Sequence, residues 1–117
     1  MLLFPSPIGS DPSQINVFHY TTNANRQLIQ ASGVIKPGTT SGLAWVTPAA
    51  YDTATAAQND LALPNTPDGY FILPIQNIQT PLIWSPVMPN FGYPGGGIEG
   101  TTPAPIPIGN AVWISFH

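Results

Sequence analysis

Glu99 and His19 are the two side chains whose type and setting suit catalysis in this sequence. Glu99 is the only glutamate, and it follows Gly95-Gly96-Gly97, a run that lets another molecule approach the backbone closely. His19 lies in the run Phe18-His19-Tyr20-Thr21-Thr22. Each residue also has a plain structural reading. Glu99 can be a solvated charge in a glycine loop, and His19 a core imidazole bonded to backbone.

Most other chemistries fail by inventory. With two histidines and no cysteine, and no His-x-x-x-His pair, the chain offers no zinc or iron–sulfur ligand set. Lys36 is followed by Pro37 rather than by Ser or Thr, so there is no Walker loop, and no Ser sits in a Gly-x-Ser-x-Gly elbow. Paired carboxylates for glycoside hydrolysis cannot be nominated, since the aspartates fall in turns or on a polar helix face.

Composition narrows the class further. Charged residues are 6% of 117, the net charge is −3, and Arg26 and Lys36 are the only bases. Phosphate neutralisation needs several Lys or Arg side chains, so nucleic acid and anionic membranes are excluded as partners. No apolar run approaches the roughly 18 residues of a membrane span, so a soluble chain is expected. Met1–Phe4 followed by Pro5 is not a signal peptide, and export would use another route.

The elements that position these residues read as a small α+β domain over residues 15–117, preceded by an extended leader over 1–14 that carries Pro5, Pro7 and Pro12. Leu2, Leu3 and Phe4 of that leader can pack on the body. Ile15 to Tyr20 predicts a strand covered on both faces. Thr22 or Asn23 caps a helix with Ala24, Leu28 and Ala31 on one stripe, and Gly33 stands at its left-handed exit. Leu43 to Val46 predicts a short strand. Thr47-Pro48 reads as the entry to a second helix reaching about Ala62, with Ala50, Ala54, Ala57 and Leu61 as its small-residue face. Tyr70 to Ile75 predicts a strand at a sheet edge, because Pro74 cannot donate to a ladder. Leu82 to Ser85, Ile98 to Thr101 and Ala111 to Phe116 complete the strands.

Three runs then fall into an order. His19-Tyr20-Thr21-Thr22, the helix ending Leu28-Ile29-Gln30-Ala31-Ser32-Gly33-Val34-Ile35, and Gly42-Leu43-Ala44-Trp45-Val46-Thr47 resemble the N-terminal half of ADP-ribosyltransferase toxin domains. Tyr51 to Leu63, Pro67-Asp68-Gly69-Tyr70-Phe71 and Gly95-Gly96-Gly97-Ile98-Glu99 are similar to the C-terminal domains of bacterial polymorphic toxins. The resemblance spans about residues 17 to 108. It implies split, twisted sheets with about two helices around a nicotinamide cleft, and NAD consumed as substrate without a metal.

By that resemblance Glu99 is the catalytic carboxylate, bonded to the ribose 2′-hydroxyl. His19 bonds the adenosine ribose, with Tyr20 and Thr21 beside it, and Trp45 stacks on nicotinamide where the family usually has Tyr. Tyr51 is the second aromatic. The glycosidic bond develops positive charge on the ribose as neutral nicotinamide leaves, which one carboxylate in a dry pocket stabilises. Arg-modifying relatives carry Glu or Gln two residues before the catalytic Glu, and here that residue is Gly97, so water or a non-Arg side chain is the expected acceptor. The resemblance further implies a toxin delivered into a target cell, a protein target and a cognate immunity protein. The competing class is a noncatalytic protein-binding or structural module, suggested by low charge, fifteen prolines and the aromatics Trp84, Phe91, Tyr93 and Trp113.

Overall fold

The computed structural model describes residues 15–116, so the leader over 1–14 and His117 lie outside the described residues. Within them the chain is α+β, with two helices and eight short strands paired antiparallel. The strands form three small sheets. Strands β1 (Asn16–Thr21), β4 (Gly69–Pro74) and β8 (Val112–Ser115) make one, in the order β1-β4-β8. Strands β3 (Ala44–Val46), β6 (Ile98–Thr102) and β5 (Ile83–Pro86) make another, in the order β3-β6-β5. The third is the two-residue pair β2 (Val34–Ile35) and β7 (Ile106–Pro107).

The first two sheets meet at a single bridge. Phe18 and Thr47 exchange backbone hydrogen bonds of 2.9 and 2.8 Å, which ties β1 to the end of β3. β1 is covered on both faces, as its pattern predicts. Val17 packs with Ile29, Ile35, Val46, Phe71, Leu73 and Ile106, while Tyr20 packs with Ala57, Leu61, Ala62 and Val87. Burying each large side chain is worth about 1.5–3 kcal/mol, so one strand draws stability from two cores.

Helix α1 (Asn23–Ser32) has the predicted ends. Thr22 accepts from Asn25 N, and Gly33 closes the helix at φ 78° with its N–H on the Ile29 carbonyl. Its inward face differs from the predicted stripe. Ile29 is the one buried residue of α1, and Leu28 is 68% exposed. Arg26, one turn before Ile29, lies inward, its guanidinium 4.9 Å from the centre of the Trp113 ring. The helix is thereby rotated so that Leu28 opens toward solvent.

Two further expectations are corrected. Helix α2 spans Ala54–Leu61 with Thr53 as its N-cap, whereas the Thr47 backbone is held in the bridge to Phe18 and its hydroxyl accepts only from Ala49 N, closing a local turn with no helix behind it. β4 is central rather than at an edge. β8 pairs only with Gly69 to Ile72, so Pro74 sits opposite Asn16 at the strand end, beyond the ladder that its missing N–H would break. Gly69 is required there, since a Cβ would collide with the Ile114 carbonyl and the Trp113 ring.

Candidate functional site

The site grows from the joint between the sheets. His19 is on β1 and Trp45 on β3, and the Phe18–Thr47 bridge brings the two strands together. The imidazole Nδ1–H donates to the Trp45 carbonyl at 2.8 Å, and the two rings lie with centroids 4.5 Å apart. Burial holds His19 down at about 4, against a smaller opposing effect of that hydrogen bond. The ring is therefore neutral at pH 7, with its proton on Nδ1 because a carbonyl only accepts. Nε2 is left as an acceptor, and no described residue donates to it.

Trp45 is opposite Thr101 in the β3–β6 ladder, and Glu99 lies two residues before Thr101 on β6. Alternation then puts Trp45 and Glu99 on the same sheet face, on neighbouring strands, with Ser85 of β5 beyond Glu99. Glu99 is half-buried, and burial raises its carboxyl above the ordinary value. On the opposite face the Trp84 indole lies over Gly100, where a Cβ would come within 2.8 Å of the ring.

Two adjoining cavities surround this pair. The smaller, about 320 Å³, is lined by Trp45, Glu99, Leu63, Val87 and Met88 among others. The larger, about 1090 Å³, is lined by His19, Thr21, Leu28, Lys36, Phe91 and the hydroxyl-bearing loop 39–41. Trp45, Leu63, Pro64 and Asn90 line both, so the cavities are two lobes of one cleft with Trp45 between them. Buried Gln58 shapes the wall, its Nε2 donating to the Leu63 carbonyl while its Oε1 accepts from Thr66.

His19, Thr21, Trp45 and Glu99 are thus brought to one cleft. Tyr20 borders the larger lobe but commits its hydroxyl elsewhere, donating to Ala49 O at 3.1 Å and accepting from Tyr51 N at 2.7 Å. Burial pushes that hydroxyl up to about 12. Tyr51 lines neither lobe. Its ring packs edge-on against Tyr20 at 5.5 Å, and a Cβ on Gly97 would stand 2.9 Å from its hydroxyl. With α2 starting only at Ala54, residues 48–53 form a loop tied to Tyr20, and this loop aims Tyr51 behind the cleft. Lys36 and Phe91 join the cleft without any motif that marks them as site residues, although Lys36 is visible as one of only two bases.

Among the described residues no group of three or more His, Cys, Asp or Glu side chains is placed to hold a metal, and no helix is long and apolar enough to cross a membrane. Comparison with protein-family models, curated proteins and solved structures finds no match.

Proposed function

We propose that this cleft consumes NAD, cleaving the nicotinamide glycosidic bond and passing ADP-ribose to water or to a non-Arg protein side chain. One arrangement carries the reading: Trp45 stands between a lobe bearing a neutral histidine acceptor and a lobe bearing the only glutamate. In the reaction the ribose C1′–N1 bond breaks and its electron pair goes to the pyridinium nitrogen, so nicotinamide leaves uncharged. The Glu99 carboxylate stabilises the cationic ribose and holds its 2′-hydroxyl. The acceptor adds its oxygen or nitrogen to C1′ and gives its proton to solvent. His19 Nε2 accepts from a ribose hydroxyl of the adenosine half, and the Trp45 indole covers the nicotinamide face.

The acceptor preference is supported at Gly97. Tyr51 Oη and the Asp60 carbonyl occupy the space a side chain would need there, so no second acid or amide can orient an arginine. Delivery into a target cell, an unidentified protein target and an immunity protein in the producer belong to the same reading.

A noncatalytic binding module is the alternative, favoured by the exposed Ile83 and Trp84 on edge strand β5 and by exposed Met88. Melting with and without NAD separates the two. The enzyme reading requires a midpoint that climbs with NAD concentration, and the module reading requires none.

A further inference from the structure

Phe91 is held in a backbone conformation that bulky side chains avoid. Asn90 N donates to Tyr93 O at 3.1 Å and Tyr93 N to Asn90 O at 2.8 Å, closing a two-residue turn. Both central residues are left-handed, Phe91 at φ 52° and Gly92 at φ 82°. Such a turn favours Asn-Gly, and Phe in the first place is strained. Packing offers no compensation. The side chain is 59% exposed, and among the described residues no aromatic ring stacks on it. It does line the larger lobe of the cleft.

That lobe is also unusual in charge. The chain carries −3 overall, yet none of Asp52, Asp60, Asp68 and Glu99 lines the lobe, whereas Lys36 does. A cavity with one cation and no acid among its described lining residues, with a row of hydroxyls and an exposed aromatic at its lip, has the chemistry of a nucleotide site: a planar base to cover and a phosphate to neutralise.

We infer that the larger lobe takes the adenine nucleotide half of the dinucleotide, with Phe91 stacking on the base and Lys36 facing the phosphates. The inference rests on the NAD reading for the identity of the ligand. The turn strain is retained because it projects the ring over the lobe, a common cause of left-handed non-glycine residues at binding sites.

The test is Phe91→Asn, which gives the turn its preferred residue and so keeps the fold. Titration calorimetry with ADP-ribose as probe is run beside a melting curve and a nicotinamide-release assay. The expected result is a midpoint raised by a few degrees together with ADP-ribose binding weakened about tenfold, the scale of one lost base stack. Lys36→Gln should weaken the same binding and flatten its salt dependence. Unchanged ADP-ribose affinity in Phe91→Asn overturns the inference, and so does a loss confined to transfer onto a protein target. If the parent binds ADP-ribose through Phe91 yet releases no nicotinamide, the stacking role stands and the NAD-cleaving reading falls. If it releases nicotinamide and Phe91→Asn matches its KM, the reverse holds.

Discussion

The His19 imidazole is fixed twice by one residue: its Nδ1–H donates to the Trp45 carbonyl at 2.8 Å, and its ring lies 4.5 Å from the Trp45 indole. The backbone of Trp45 sets the tautomer and its side chain sets the tilt. Since the two residues belong to different sheets, the same pair fastens the sheet joint from which the cleft opens.

Stability should therefore depend on pH through His19. Unfolded, this histidine takes up a proton near 6.5, whereas folded it resists protonation until about 4. Between those values the unfolded chain binds more protons, so stability present above pH 6.5 is lost as pH falls toward 4, by about 3 kcal/mol in all. Urea unfolding from pH 7 to pH 4 measures it. His19→Gln should remove most of that slope, and an identical slope in the variant would assign it to other groups.

Trp45 serves both lobes with its indole and His19 with its carbonyl. Trp45→Tyr keeps an aromatic face and should cost little in NAD binding, while Trp45→Ala should weaken it roughly 5- to 150-fold, because a stacked ring is worth about 1–3 kcal/mol. The carbonyl bond to His19 survives both changes, so a common loss in the two variants would show that packing, not stacking, is what Trp45 provides. Ligand-induced melting shifts distinguish these outcomes.

Gly97 should not accept the amide or acid that arginine modification needs. Gly97→Gln would set a Cβ 2.9 Å from Tyr51 Oη and 3.0 Å from the Asp60 carbonyl. A destabilisation of about 1–3 kcal/mol is expected, typical of overpacking, with no ADP-ribose on arginine by mass spectrometry. A stable variant that labels arginine would show that this position faces the acceptor.

Features set by neighbouring residues are legible in the amino-acid sequence alone. The ends of α1 follow from Thr22 and Gly33, a local cap and a local left-handed exit, and β1 shows by its composition that both faces are covered. The departures are non-local. Thr47-Pro48 has every sign of a helix entry, yet Thr47 pairs with Phe18, a partner no local pattern reveals. Pro74 suggests an edge strand because the length of β8 cannot be read from β4. The two-residue strands β2 and β7 are too short for any periodicity. In the cleft, Glu99 and His19 stand out by rarity, whereas Tyr51 is misplaced along with the start of α2, and the strain at Phe91 exists only as a backbone angle.

The central claim is that the cleft breaks the nicotinamide bond with Glu99, and chromatography of NAD incubated with the purified protein and with Glu99→Gln tests it most directly. Free nicotinamide is expected from the parent and about 10²-fold less from the variant, with NAD binding retained, the scale of losing one electrostatic stabiliser. Burial raises the Glu99 carboxyl, so the parent's rate should fall with acid through a midpoint above the ordinary carboxylate value of 4.5. Equal nicotinamide release by both proteins, or none by the parent, would contradict it.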